Sequence, residues 1–153
     1  MNFMPICLNV ENSRIVVVGG GKIAEQKLRI LLQYTRNIVV CAPDISPAIG
    51  VLELEFLQKA YDQEILEGAA IVYACTNNKS LNRQIASDAK RQGILACAVD
   101  DPEFCDFISP AIYKRGHMSV AVSSNAKDVK RSIRWRNRIA EEFSGEGDQS
   151  LAM

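Results

Sequence analysis

Three consecutive glycines follow the first apolar run of the chain and precede a helix-like stretch. The segment matches G-x-G-x-x-[GA], with Gly19, Gly21 and Ala24 at the defined positions. The first glycine permits a tight turn, the second lets the backbone approach a pyrophosphate, and the small third residue allows close packing of helix on strand. We predict a dinucleotide-binding loop, with a purely structural glycine turn as the alternative. The predicted loop residues are Gly19, Gly20, Gly21, Lys22, Ile23 and Ala24.

Polar side chains follow the other strand-like runs. Asp44 stands near the position of the acidic residue that binds the cofactor ribose, and no arginine occupies residues 39–47 to hold a 2′-phosphate. This composition favours NAD over NADP. Thr76 and Asn77 follow a later run. Because ligands of open parallel sheets bind outside the carboxyl ends of the strands, we expect all three side chains in one crevice with the glycine loop.

Asp100 follows the next apolar run and is the best-placed carboxylate to accept a proton beside a hydride acceptor. The alternative is that Asp100 or Asp101 only caps the turn before Pro102. Position in the sequence does not separate these two interpretations.

Short apolar runs alternate with helix-like stretches, which is typical of βαβ units. The predicted strands are residues 13–18, 37–42, 69–75, 94–99 and 118–123; the predicted helices are 22–34, 80–92 and 128–143; residues 46–58 are assigned a short helix or strand. We therefore predict an α/β fold, a Rossmann-type parallel sheet with helices on both faces, followed by a small α+β segment. The predicted domains are residues 1–110 and 111–153.

The 153 residues are 48% hydrophobic and 24% charged, which is enough apolar material for one compact domain with a short appendage. No apolar run is long enough to span a bilayer, and no signal peptide is recognisable, so we expect a cytoplasmic protein. Five widely spaced cysteines without a C-x-x-C pair predict structural thiols, and no metal-ligand spacing is visible.

Charge is distributed unevenly along the chain. The net charge is zero, which argues against a nucleic-acid-binding surface, but residues 111–138 hold eight basic residues and one acid. A basic helix face is usually just solvated; a polyanionic ligand is the alternative.

The ordered set of motifs resembles the precorrin-2 dehydrogenases, which also form the N-terminal part of siroheme synthases. The matching segments are residues 5–8, 16–27, 42–44, 74–78, 99–102, 107–112 and 120–124, together with Asn82. The resemblance implies oxidation of precorrin-2 to sirohydrochlorin with NAD as hydride acceptor, and some members of the family also insert ferrous iron. It further implies a homodimer in which the segment after the Rossmann domain forms the dimer contact.

The same resemblance assigns roles to individual residues. It implies that Asp100 takes part in catalysis and that Ser124 lies near the tetrapyrrole. The tetrapyrrole has eight carboxylates, so Lys114, Arg115 and the other basic residues of 111–138 would bind it electrostatically. Two departures stand out: the family commonly has two glycines where this chain has Asn125 and Ala126, and many members carry a smaller residue at Asp106. A regulatory module that senses NAD(H) without catalysis is the rival interpretation.

Overall fold

The computed structural model describes residues 1–144, which form two compact units. One unit is Ile6–Phe107; the other combines Met1–Pro5 with the chain from Ile108 onward. The predicted second domain, 111–153, therefore extends into residues 145–153, which lie outside the described residues. The division at residue 110 into separate domains stays a prediction.

The first unit is built on a five-stranded parallel sheet. Its strands are β1 (Arg14–Val18), β2 (Ile38–Cys41), β3 (Glu55–Leu57), β4 (Ala69–Ala74) and β5 (Leu95–Ala98), in the order β3-β2-β1-β4-β5. The strand order reverses between β1 and β4, and in such sheets the ligand crevice opens at that point. The predicted Rossmann-type parallel sheet is confirmed.

Helices cover both faces of this sheet, as predicted. The helices are α1 (Lys22–Leu31), the short α2 (Pro47–Gly50) and α3 (Lys79–Arg91). Alternate residues of β1 point to opposite faces: Ile15 and Val17 pack in the cluster that contains α1, whereas Val16 and Val18 pack with α3. Burial on both faces explains why the strands are continuous β-branched runs.

Two local predictions differ from the structure. Residues 46–58 form both a short helix and a strand, α2 and β3, where one element was expected. The spacing of Ile23, Lys27, Ile30 and Leu31 in the sequence predicts the apolar face of α1, but the buried residues are Ala24, Leu28 and Leu31. The helix thus presents a small alanine to the sheet in its first turn, which lets the helix start lie close to the strand end.

Asp106 covers the outer edge of β5. Its backbone N–H donates to the Ala96 carbonyl at 2.9 Å, and its carboxylate accepts from the Ala96 N–H at 3.0 Å. Both backbone groups of Ala96 on that edge are therefore satisfied, and the edge is blocked against pairing with another strand. This contact gives the physical reason for an aspartate at position 106.

The second unit contains an antiparallel ribbon and one long helix. The ribbon pairs β6 (Ala111–Arg115) with β7 (Met118–Val122), and the helix is α4 (Val129–Ser144). β7 and α4 were predicted, whereas β6 was not. The α+β character of this segment is confirmed. Within residues 1–144, none of the helices combines the length and apolarity needed to span a bilayer.

The loop between β7 and α4 has an unusual backbone. Asn125 and Ala126 have φ values of 60° and 63°, in the left-handed region that favours glycine. The N-terminal residues hold this loop: the Phe3 N–H donates to Asn125 Oδ1 at 2.6 Å, and Asn125 Nδ2 donates to Asn2 Oδ1 at 3.0 Å. The two left-handed residues stand at the position where the resembling family commonly has two glycines.

We expect Ala126→Gly to raise the free energy of unfolding by about 1 kcal/mol, because glycine adopts a positive φ without the clash between Cβ and the backbone. The matched control is Ala121→Gly in β7, where glycine should lower the free energy of unfolding by about 0.5–1 kcal/mol. Urea denaturation measures both. Equal destabilisation by the two substitutions would contradict the left-handed conformation of Ala126.

Candidate functional site

The first two glycines of the loop are required by close backbone contacts. Gly19 has φ +132°, and a Cβ added there would lie 2.5 Å from the Cys75 carbonyl oxygen. A Cβ on Gly20 would lie 1.9 Å from the carbonyl oxygen of Asp44. The Ser46 N–H also donates to the Gly20 carbonyl at 2.9 Å. The loops after β1, β2 and β4 therefore meet at these two residues.

Gly21 differs from its neighbours because the protein itself does not require a glycine there. Its φ of −100° is ordinary, and an added Cβ would meet nothing within 4 Å. Gly21 is the N-cap of α1, and no side chain caps that helix. The first N–H groups of a helix, here those of Lys22 to Ala24, have no partner within the helix, and an uncapped helix start beside open space is the arrangement that binds a phosphate anion.

This space is part of a cleft of about 490 Å³ at the carboxyl edge of the sheet. Of the residues predicted to bind the cofactor, Gly19, Gly20, Gly21, Asp44, Thr76 and Asn77 line it, and Lys22, Ile23 and Ala24 continue from it as the first turn of α1. The cleft also has lining residues that the sequence did not single out: Val18, Cys41, Ala42, Pro43, Ile45, Ser46, Ala60, Tyr61, Cys75 and Leu81.

The wall formed by residues 76–78 is fixed by Asn82 of α3. Asn82 is buried, and its Oδ1 accepts from the Thr76 hydroxyl at 2.6 Å and from the Thr76 N–H at 3.1 Å. Asn82 Nδ2 donates to the Thr76 carbonyl at 3.0 Å. Asn78 caps α3 by accepting from the Leu81 N–H. The Thr76 hydroxyl is thus engaged in positioning the loop.

Tyr61 is the aromatic residue of the cleft, and sequence reasoning missed it. Its hydroxyl donates to Asp88 Oδ2 at 2.9 Å, and Asp88 is also paired with Arg91 of the same helix. Burial and the hydrogen bond to Asp88 raise the pKa of Tyr61, so the ring is held as a neutral phenol. Tyr61, Leu81 and Ala60 contribute apolar surface to the lining of the cleft, which suits a planar base. No sequence pattern marks Tyr61, because it lies in the irregular segment between β3 and β4.

Asp100 lies just after β5 and is exposed, with φ +63°. It is not among the residues that line the cleft. Burial raises the pKa of the Cys75 thiol to about 12, with the Asp100 carboxylate adding to this rise and the Lys27 ammonium opposing it. Asp100 is therefore within electrostatic range of Cys75, which does line the cleft.

Asp101 is buried and forms ion pairs with basic side chains of α3. Its Oδ2 lies 2.6 Å from Arg83 Nε and 3.7 Å from Lys79 Nζ, and the Arg83 guanidinium stacks on the Phe104 ring. The hydrogen bond from Arg83 lowers the pKa of Asp101. This stabilising ion pair is fully present above the ordinary aspartate pKa and is lost as the pH falls through the lowered one. Asp101 thus anchors the turn to α3, which leaves Asp100 free for chemistry.

The predicted substrate-binding residues lie in the second unit. Ser124 Oγ accepts from the Asp128 N–H at 2.9 Å, and Asp128 in turn caps α4. Lys114 donates to the Gly116 carbonyl at 2.7 Å, and Arg115 donates to the Phe143 carbonyl. Because neighbouring residues of a strand point to opposite faces, Lys114 and Arg115 do not share one face of the ribbon. Their role and that of Ser124 in substrate binding stay predictions.

Within residues 1–144, no group of three or more His, Cys, Asp or Glu side chains is arranged to hold a metal ion. The residues of the cleft fit a dinucleotide: two glycines where the loops pack closely, an uncapped helix start, the Asp44 carboxylate and the aromatic ring of Tyr61.

Comparison with known proteins gives three findings. Residues 6–111 match the family model described as "Putative NAD(P)-binding". The chain is 39% identical over 142 residues to a siroheme synthase of Chromobacterium violaceum, and 37% identical over 158 residues to one of Gluconobacter oxydans. These alignments cover 89% and 98% of this chain. A solved structure titled SirC, precorrin-2 dehydrogenase, superposes with a TM-score of 0.76 at 24% identity, covering 92% of this chain and 70% of the other.

The sequence matches and the structural match support different conclusions. The chain spans only 30% and 33% of the length of the two siroheme synthases. The structural match establishes the fold. The resemblance drawn from the sequence motifs is confirmed by these relatives, and the family match supports the prediction of a nicotinamide dinucleotide cofactor.

We expect Gly21→Asp to abolish NAD binding while leaving the fold intact, because its side chain enters the space before the α1 N-terminus and repels the pyrophosphate. The matched variant is Gly20→Ala, whose Cβ collides with the Asp44 carbonyl and should lower the melting temperature. Calorimetric titration with NAD and thermal unfolding measure the two effects. Unchanged NAD affinity in Gly21→Asp would refute the cofactor site.

Proposed function

The chain belongs to the NAD(P)-binding family whose model it matches over residues 6–111, and we propose that it oxidises precorrin-2 to sirohydrochlorin with NAD as the hydride acceptor. The observation that carries the dehydrogenase assignment is the open space at Gly21 before an uncapped helix, with Asp100 near the same edge of the sheet. The names of the relatives, siroheme synthase and precorrin-2 dehydrogenase, supply the substrate.

The choice of NAD over NADP rests on the loop after β2. Asp44 lines the cleft and carries a carboxylate that suits a ribose with two free hydroxyl groups. The same carboxylate would repel a 2′-phosphate, and residues 39–47 contain no arginine to offset that repulsion.

Asp100 is the residue that we assign to proton transfer. Oxidation of precorrin-2 removes a hydride and a proton, and the bound nicotinamide supplies the hydride acceptor. Asp100 stands exposed just beyond the carboxyl end of β5, the strand that pairs with β4. Asp101, Lys79 and Arg83 hold the turn that presents it, so the carboxylate needs no rearrangement before it receives the proton.

The substrate is a polyacid, and the second unit carries the matching charge. Residues 111–138 hold eight basic residues and one acid, while precorrin-2 has eight carboxylates. Lys130, Arg134 and Arg138 are exposed on α4. We include Ser124, Lys114 and Arg115 in this substrate-binding region. Ferrous iron as a second substrate is a proposal that rests on the family resemblance alone.

A homodimer is the assembly that the second unit favours. The helical spacing of Val129, Ile133, Ala140 and Phe143 predicts an apolar stripe on α4, and in the structure Val129 is 62% exposed, Ile133 41% and Phe143 42%. The buried residue of this helix is Ser132 instead. An amphipathic helix whose apolar stripe lies open to solvent favours contact with another apolar surface, and a second copy offers an identical one.

We expect Asp100→Asn to lower turnover by at least on the order of 100-fold, because the amide cannot accept the proton, while asparagine tolerates the positive φ. The affinity for NAD should be unchanged. Glu103→Gln, an exposed carboxylate in the same turn, is the control and should keep its rate.

Anaerobic absorbance spectroscopy with precorrin-2 and NAD measures this turnover. A protein that binds NAD with no turnover, in the parent chain as in the variant, would instead be the NAD(H)-sensing module. A fast Asp100→Asn variant would remove Asp100 from the mechanism and leave the dehydrogenase standing.

We expect Ile133→Glu to produce a monomer, because a charge placed in the apolar stripe must be desolvated at the dimer contact. Arg138→Glu, on another side of α4, is the control and should leave the assembly intact. Sedimentation equilibrium should give twice the 16.9 kDa chain mass for the parent and the control. A monomeric parent chain would overturn the dimer.

A further inference from the structure

Two cysteines face each other beneath the turn that carries Asp100. Cys97 lies on β5 and is 5% exposed; Cys105 follows the 3₁₀ turn Pro102–Phe104 and is half-buried. Their Sγ atoms are 3.9 Å apart. Because the Asp106 N–H bonds to the Ala96 carbonyl, the residue before Asp106 lies opposite the residue after Ala96, as in an antiparallel pair. This cross-strand placement brings the two side chains within the range that a disulfide spans.

The same thiol also holds the turn. Cys105 Sγ donates to the Ala98 carbonyl at 3.1 Å and lies 3.4 Å from the Asp101 carbonyl. Asp100 sits between those two carbonyls in the chain, with a positive φ. Any chemical change at Cys105 therefore alters the contacts that fix the backbone on either side of Asp100.

The two sulfurs differ in reactivity. The contact between the two sulfurs lowers the pKa of Cys105, whereas the same contact and burial raise the pKa of Cys97. Cys105 is thus the thiol that ionises first, and it is also the one that solvent reaches. An accessible low-pKa cysteine next to a second thiol is the arrangement of a redox-sensitive pair.

We propose that Cys97 and Cys105 form a peroxide-sensitive dithiol that closes to a disulfide and switches off the Asp100 turn. The Cys105 thiolate attacks one oxygen of hydrogen peroxide, the O–O bond breaks, and the departing hydroxide takes up a proton to become water. Cys97 then attacks the sulfur of the resulting sulfenic acid, and its proton leaves with the hydroxyl group as a second water. Two thiols are oxidised to one disulfide, and peroxide is reduced to two waters.

The switching effect rests on the proposed dehydrogenase function, whereas the disulfide does not. In the disulfide the sulfurs lie about 2 Å apart, and Cys105 no longer has a proton to donate to Ala98. The turn then loses the hydrogen bond that holds its backbone next to Asp100. We expect turnover to fall by at least about tenfold, corresponding to 1.4 kcal/mol in the barrier, and to recover after treatment with a thiol reductant.

The experiment exposes the full chain to hydrogen peroxide, blocks the remaining thiols, and determines mass and linkage by peptide mapping. The expected result is a loss of two hydrogens with Cys97 joined to Cys105. Cys105→Ser should prevent the linkage and make the rate insensitive to peroxide, since serine keeps a hydroxyl donor for Ala98. Cys7→Ser is the control, because Cys7 is exposed and far along the chain from the pair; it should form the disulfide like the parent.

Each outcome decides the proposal. Free Cys97 and Cys105 after oxidation, or a linkage through Cys75, would overturn the dithiol. A Cys97–Cys105 disulfide with unchanged turnover would overturn the switch. If the reduced chain shows no turnover at all, the dehydrogenase function fails, and the peptide map alone still decides whether the dithiol exists.

Discussion

The contact of the glycine loop with two carbonyl groups is the constraint on which the site depends. Gly19 lies against the Cys75 carbonyl and Gly20 against the Asp44 carbonyl, so the loops after β1, β2 and β4 are in van der Waals contact. No residue with a Cβ fits at either point. This contact closes the base of the cleft and brings Asp44, Thr76 and Asn77 around the start of α1. The three loops are therefore held in fixed positions around the helix N-terminus where a cofactor phosphate would bind.

The acidic residues of the first unit divide into two groups by their partners. Asp101 pairs with Arg83, Asp88 pairs with Arg91 and Tyr61, and Asp106 closes the edge of β5. Each of these carboxylates fixes a loop or helix, and the buried ones among them would be costly without a partner. Asp44 and Asp100, by contrast, are exposed at the carboxyl edge of the sheet. The structural carboxylates hold the surroundings rigid, so that the exposed ones can meet a ligand in a fixed position.

The second unit holds two consecutive non-glycine residues in the left-handed region of φ. The left-handed residues Asn125 and Ala126 replace glycines that are common in the resembling family, and contacts from Asn2 and Phe3 hold the loop in place. These hydrogen bonds offset the strain of a positive φ at alanine. The same unit leaves the apolar stripe of α4 exposed, so its own ribbon and helix do not bury all of the apolar surface that the sequence provides.

The sequence by itself determined the features that depend on local periodicity and on short fixed spacings. β-branched runs, helical periodicity and the G-x-G-x-x-[GA] pattern were enough to predict the parallel sheet, the helices on both faces and the glycine loop. They did not separate Asp100 from Asp101, because adjacent residues of one turn have the same local signal and only the folded chain brings Arg83 and Lys79 to one of them. Tyr61 in the cleft, Asn82 behind Thr76 and the Cys97–Cys105 contact were likewise decided by tertiary structure alone. Tyr61 meets Asp88 from a segment 27 residues away, and the loops that bring Asn82 to Thr76 and Cys105 to Cys97 are irregular. Neither periodicity nor short fixed spacing predicts the backbone path of an irregular loop or the approach of distant segments.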